Sequence, residues 1–263
     1  MWKYADNQDV GSEAAMKVEL KENERIDDLE YKNLKIIQNK EWFCFGIDSI
    51  LLADFAKDIK KSSMVMDLGT GTGIIPILLC GKTELKKIIG VEIQKDVCEM
   101  ANRSIRLNNM QSRFEIVNCN VKDIEKMYLK NSFDAIVTNP PYMKINTGII
   151  NDNTKKLISR HETEANLEDF ISIAAKLLKN NGALYMVHRP ERLVDIIYLL
   201  RKHKLEPKLI KLVRPYEDRE PNLLLIKCIK CGKPFLKMDK ILTVYNKNGE
   251  YTKEILKIYG KEN

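Results

Sequence analysis

The chain has 263 residues, 44% of them hydrophobic and 31% charged, a balance that supports a sizeable core and excludes disorder, collagen and coiled coil. Its longest apolar run, Gly73 to Cys80, falls far short of the ~18 residues of a membrane span, and the opening MWKYADNQDV has no apolar leader core. The formal charge of +7 is uneven: residues 201–263 hold 16 Lys and Arg against 8 Asp and Glu, whereas the first 200 hold 28 against 29. A cationic end on a neutral body suits a polyanion-binding enzyme, although lysines on a solvated face need no ligand. Six cysteines (Cys44, Cys80, Cys98, Cys119, Cys228 and Cys231) lie mostly in apolar-periodic stretches. They are expected as buried thiols in a reducing compartment, the cytoplasm, rather than as a disulfide framework. Cys228 and Cys231 form a lone CxxC without a second ligand pair, and no metal is expected there.

Residues 1–17 are polar without clear periodicity and are expected as a loose extension. LKIIQN from Leu34 predicts a short strand, and IDSILLADFAKDI has helical apolar spacing, with Asp48 as its N-cap. Strands are then predicted over Met64 to Leu68, Lys87 to Ile93, Phe114 to Asn118, Phe133 to Asn139 and Gly182 to His188. Helical stretches separate them, among them Lys95 to Leu107 and Asn166 to Leu178, which implies right-handed crossovers and a parallel sheet covered on both faces. The ending differs. After a helix from Glu191 to about His203, Lys208 to Pro215 and Asn222 to Lys230 are two strands joined without a helix, and so antiparallel neighbours. Asn248-Gly249 signals a tight turn before a short final helix. One domain is expected over 18–263, with a core at about 45–230 and a basic addition at 231–263. An α/β sheet of seven strands, mostly parallel with a C-terminal antiparallel hairpin, resembles the Rossmann-like fold of class I S-adenosylmethionine-dependent methyltransferases.

MDLGTGTGIIPILL ends a strand at Asp67 and then sets Gly69, Gly71 and Gly73 at alternate positions, with Thr70 between, before a helix. Such glycines let the backbone turn sharply and approach a ligand, while the helix N-terminus offers free N–H groups. The resemblance implies that this loop lies along the methionine part of S-adenosylmethionine. Glu92 closes the second strand 25 residues after Asp67, where a carboxylate can accept both ribose hydroxyls, with Ile93 beside it. A strand-end carboxylate is also an ordinary solvated cap, so the two features carry the reading together. Where the family often has an Asp toward the adenine amino group, this chain has Asn120, whose oxygen still accepts a hydrogen bond, and Val121 can pack on the ring.

FDAIVTNPPYMK runs a strand directly into Asn139, Pro140, Pro141 and Tyr142. Asn-Pro and Pro-Pro are also common turns, but the end of a parallel strand beside a glycine loop is where such sheets bind ligands. An exocyclic adenine amine or a side-chain amide is a poor nucleophile, because its lone pair is delocalised. The Asn139 side-chain oxygen and the Pro140 carbonyl can each accept one N–H, aligning the nitrogen with the methyl donor. Tyr142 can stack on the planar group that carries that nitrogen, and the chemistry requires no metal.

NPPY is shared by adenine-N6 nucleic-acid methyltransferases and protein-glutamine N5-methyltransferases. The flanks decide between them: LKENERIDDL, LKIIQNKEWFCFGIDSILLADF, ISRHETEANLEDF, HRPERL, GKPFLK and GEYT resemble the tRNA valine (adenine-N6)-methyltransferase family from about residue 18 onward. The resemblance implies methylation of adenosine 37 beside the anticodon, with tRNA as partner; the alternative is a glutamine methyltransferase acting on a release factor. Lys144 to Glu164, polar and just after NPPY, is expected as a lid, with Arg160 and His161 as candidates for substrate contact. Arg189, after the fifth strand, is a third candidate.

Overall fold

The computed structural model describes residues 18–42, 45–142 and 165–261. It opens with a hairpin of β1 (Glu24–Asp28) and β2 (Lys35–Asn39), antiparallel with Ile26 opposite Ile37. β1 is not anticipated from sequence because ERIDD has one apolar residue in five and its pairing partner supplies the burial. The hairpin is bonded to α3 (Lys95–Leu107): the Ser104 hydroxyl accepts from the Ile37 N–H at 3.0 Å, and the Asn108 side chain accepts from the Lys35 N–H at 2.9 Å. Beneath them Arg103 forms an ion pair with Glu24 at 2.5 Å, their side chains 6% and 3% exposed.

β3 (Met64–Leu68) shows how the main sheet is covered. Val65 packs into one apolar core, while Met66 and Leu68 pack into another on the opposite face. Alternate residues that are all apolar are what a strand buried on both faces requires. β4 (Lys87–Glu92), β5 (Phe114–Asn118), β6 (Phe133–Thr138) and β7 (Leu178–His188) join β3 in parallel, in the order β5-β4-β3-β6-β7. Beyond β7 lies β9 (Leu223–Lys230), antiparallel both to β7 and to β8 (Leu205–Arg214). These seven strands reproduce the expected mostly parallel sheet with its antiparallel ending. The two-residue strands β10 (Lys237–Met238) and β11 (Leu242–Thr243) run parallel to β8 and bring the sheet to nine strands, an extension too short to show in the sequence.

One face of the sheet carries α1 (Ile47–Phe55), α2 (Ile74–Lys82), part of α3 and the tail helix α6 (Lys253–Ile258). The other carries α4 (Leu167–Leu177) and α5 (Leu193–Lys202). Several boundaries move, β8 for one starting at Leu205, three residues before the expected Lys208. α4 stops at Leu177 because Leu178 already has extended backbone and pairs with Phe133, so β7 begins four residues before the expected Gly182. α5 starts at Leu193, after a 3-10 turn over Pro190–Arg192 in place of the expected first helical turn. The Asn248-Gly249 turn forms, with Gly249 at φ 79° and Tyr245 bridged to Tyr251. Among the described residues no helix is long and apolar enough to cross a membrane.

Because β3 to β8 share one direction apart from β9, Leu68, Glu92, Asn118, Thr138, His188 and Arg214 all end at one edge of the sheet. That edge gathers the residues singled out above.

Candidate active site

The glycine loop turns between β3 and α2. Gly69, Gly71 and Gly73 have φ of 73°, 55° and 87°, the left-handed region that glycine enters without penalty. A Cβ at Gly69 would press on the Phe170 ring at 3.2 Å and one at Gly73 on the Phe114 ring at 3.1 Å, whereas at Gly71 nothing lies within 4 Å. The first and last glycines therefore permit close packing, and the middle one borders open space. Glu92 holds the loop from the next strand: its Oε2 accepts from the Gly71 N–H at 3.1 Å and its Oε1 from the Gln94 N–H at 2.9 Å. A carboxylate has about four acceptor sites, so two remain for a pair of hydroxyls.

Asp67 is fully buried, and neither of its carboxylate oxygens has a hydrogen-bond partner among the described residues. The buried Thr70 hydroxyl is likewise without a well-directed partner. Burial pushes the Asp67 carboxyl up to about 7, opposed by the nearby Thr70 hydroxyl and reinforced by the charge of Glu92. Unsatisfied acceptors in a buried site need a donor, and a cationic one answers best. The cofactor that the resemblance implies fits this set of acceptors. Its ammonium would answer Asp67, its sulfonium would add a second positive charge, and its ribose diol would meet the remaining acceptor sites of Glu92.

Farther along the edge the expected contacts are partly committed. Asn120 caps a 3-10 turn over Val121–Lys126, its side-chain oxygen accepting from the Lys122 N–H at 2.9 Å. Val121 is buried. The Ile93 carbonyl accepts from the Asn118 side chain at 2.8 Å, fixing the segment after Glu92.

Asn139 to Tyr142 follow β6, one strand from the glycine loop. The Asn139 amide nitrogen donates to Asp48 Oδ2 at 3.3 Å, with the Ser49 hydroxyl at 3.4 Å. The Tyr142 hydroxyl lies 3.0 Å from the same Asp48 oxygen and 2.5 Å from the Asn139 oxygen. Asp48 is thus not the cap expected from its place before the apolar run. Gly46 is the N-cap of α1, without a side-chain cap bond, and Asp48 in the first turn faces the NPPY segment instead. Nothing local in the sequence marks this role, because the two partners stand about ninety residues apart.

Tyr142 is packed on two further groups. Its ring meets His188 edge-on at 5.1 Å, and the Arg189 guanidinium lies over it at 5.0 Å. Burial and the Arg192 charge lower the His188 pKa to about 4, so the ring is neutral near pH 7. Its Nδ1 accepts from the Arg189 N–H at 2.8 Å, which places the proton on Nε2. Arg189 also donates from Nη1 to the Asn222 carbonyl at 2.9 Å. Arg160, His161 and the expected lid lie outside the described residues. No group of three or more metal-ligating side chains occurs among the described residues.

An α/β sheet with this strand order, a glycine turn after an interior strand and an Asn-Pro-Pro-Tyr segment at the neighbouring strand end defines a class I methyltransferase. Residues 45–202 match the methyltransferase small domain family model, and the chain belongs to that family. It is 28% identical to the tRNA1(Val) (adenine(37)-N6)-methyltransferase of Porphyromonas gingivalis, over 76% of this chain and 79% of that one. It is 26% identical to the protein of the same name from Tolumonas auensis, over 86% and 92%. Among solved structures, an Agrobacterium tumefaciens protein described as a predicted O-methyltransferase superposes with a TM-score of 0.66 at 20% identity, over 81% of this chain and 96% of that one. M. jannaschii TYW2, in complex with AdoMet, superposes with a TM-score of 0.54 at 14% identity, over 80% and 87%.

Proposed function

We propose that this protein transfers a methyl group from S-adenosylmethionine to N6 of an adenine in tRNA, adenosine 37 beside the anticodon of tRNA valine. The observation that carries the reading is the Asn139 amide at the sheet edge next to the glycine loop, in a chain whose relatives over most of its length bear that name. Asp67, Gly71 and Glu92 would hold the cofactor, which supplies an electrophilic methyl on its sulfonium.

The chain's own residues prepare the acceptor nitrogen. Asp48, as a carboxylate, only accepts hydrogen bonds, so it selects the NH2 end of the Asn139 amide and turns the oxygen toward the substrate. That oxygen and the Pro140 carbonyl each take one N–H of the target amine, which localises its lone pair toward the methyl donor. As positive charge develops on the amine, the Asp48 contact strengthens Asn139 as an acceptor through the polarised amide. In the free protein the Tyr142 hydroxyl covers the Asn139 oxygen; when the amine arrives, Asp48 Oδ2 gives that hydroxyl another acceptor. The Tyr142 ring, braced by His188 and Arg189, supplies the stacking face. The methylated nitrogen is acidic and sheds its extra proton to solvent without a dedicated base. Free buried thiols at Cys80, Cys98 and Cys228 support a cytoplasmic setting, and residues 18–263 act as one domain.

The test is transfer of labelled methyl from S-adenosylmethionine to unmodified total tRNA, followed by nucleoside mass spectrometry, with a release factor as protein control. N6-methyladenosine made only with enzyme supports the reading. Label on the protein and none on RNA overturns it.

A further inference from the structure

We infer that the groove between the β8–β9 turn and the C-terminal tail seats RNA nucleotides flanking the target adenosine, with Tyr216 as a stacking platform and Arg219 and Lys247 as phosphate contacts. The inference rests on the tRNA reading above and extends it to how the RNA is held.

A column of tyrosines leads to the groove. Tyr259, 4% exposed, stacks on Tyr251 at 5.5 Å; Tyr251 stacks on Tyr245 at 5.3 Å; and Tyr245 meets Tyr216 at 5.4 Å with a 33° tilt. The column begins in the core and ends on Tyr216, which is 38% exposed and lines the groove. A ring fixed from behind in this way has little freedom left to lose on binding, and a base placed on it continues the stack.

The groove, of about 890 Å³, combines that face with charge of both signs. Arg219 and Lys247 are exposed and have no ion-pair partner among the described residues, while Arg214 is held by the Thr243 hydroxyl at 2.9 Å. Glu217 and Asp218 share the wall. Cations alone would suit any polyanion. Cations, carboxylates and an aromatic face together suit a nucleotide, whose phosphate meets the cations and whose base offers amino and imino donors to the carboxylates.

Position links the groove to the chemistry. β8 and β6 are three strand spacings apart with their C-terminal ends on the same edge, so the groove lies ~14 Å along the sheet from the NPPY segment. That is about four stacked nucleotide steps of ~3.4 Å, within the reach of one RNA loop. Arg189 spans the interval, with its guanidinium over Tyr142 and its Nη1 donating to the carbonyl of Asn222 in the β8–β9 turn.

The test measures binding of a fluorescent anticodon stem-loop RNA by the full chain and by Tyr216→Ala, Tyr216→Phe and the double variant Arg219→Ala/Lys247→Ala, with S-adenosylmethionine affinity and thermal melting recorded for each. Tyr216→Ala is expected to weaken RNA binding ~5- to 100-fold, as loss of one stacked base does, with Tyr216→Phe near wild type and cofactor affinity unchanged. The double variant is expected to lower the slope of log affinity against log salt by about one to two. RNA affinity unchanged in both Tyr216→Ala and the double variant, with a wild type that methylates tRNA, overturns this inference and leaves the function standing. A wild type that neither binds nor methylates RNA overturns both.

Discussion

The Asp48 carboxylate accepts from the side-chain amide of Asn139 across 3.3 Å, joining the first helix to the strand end that carries Asn139 to Tyr142. Under the proposed function Asp48 is a positioning residue. Replacing it with Ala removes a hydrogen bond to a charged group, a class of contact worth ~1.5–3 kcal/mol, and is expected to lower kcat roughly 10- to 100-fold with little change in the KM for S-adenosylmethionine. If Asp48 also draws the Tyr142 hydroxyl off the Asn139 oxygen, Asp48→Ala/Tyr142→Phe recovers part of that loss. Equal kcat for wild type and Asp48→Ala contradicts the role.

Glu92 is expected to act on the cofactor through the loop as well as by direct contact. Glu92→Ala frees the Gly71 N–H and removes the diol acceptor, so the Kd for S-adenosylmethionine by calorimetry should rise at least 10-fold, while the melting temperature moves by only a few degrees.

Asp67 is expected to make cofactor binding depend on pH. Its carboxyl is raised from 3.8 to about 7 in the free protein, so below pH 7 it is mostly protonated and must lose that proton to meet a cation. Affinity should therefore fall as pH drops below about 7, by at most tenfold per unit, and Asp67→Asn should bind weakly with a flat profile. The same shift makes the free protein lose stability as pH rises from about 4 to about 7, because ionisation is easier in the unfolded chain. Calorimetric titrations from pH 5.5 to 8.5 read the first effect directly. His188, lowered to about 4, stays neutral throughout that range and adds nothing to it.

Arg103 anchors the N-terminal hairpin. Arg103→Leu strands the Glu24 carboxylate in a site where its side chain is 3% exposed, and stability should drop by about 3 kcal/mol in denaturant melts. Glu24→Gln/Arg103→Leu should recover part of this, since no buried charge is then left alone.

The parts of the site that can be read in the sequence are those whose residues act as neighbours in the chain. Gly69 to Gly73 and Asn139 to Tyr142 each encode a local backbone shape, and the strand patterns around them place both at one sheet edge. Asp48 is different. Its position at the start of an apolar helix looks like a cap, and only the packing of α1 beside β6 turns it toward Asn139. β1 escapes notice for a similar reason, since its polar residues are ordered by Arg103 and the β2 ladder rather than by a stripe of their own. The tyrosine column likewise joins residues from a turn, a bridge and a helix end that no spacing connects.

The central claim is that the Asn139 oxygen holds the adenine amine for methyl transfer. The most direct measurement is the yield of N6-methyladenosine in unmodified tRNA with wild type and with Asn139→Ala, after equal S-adenosylmethionine affinity has been shown for the two. The account predicts a loss of at least 100-fold in the variant, in line with removal of one preorganised group at the reacting atom. Transfer by Asn139→Ala at the wild-type rate would contradict it.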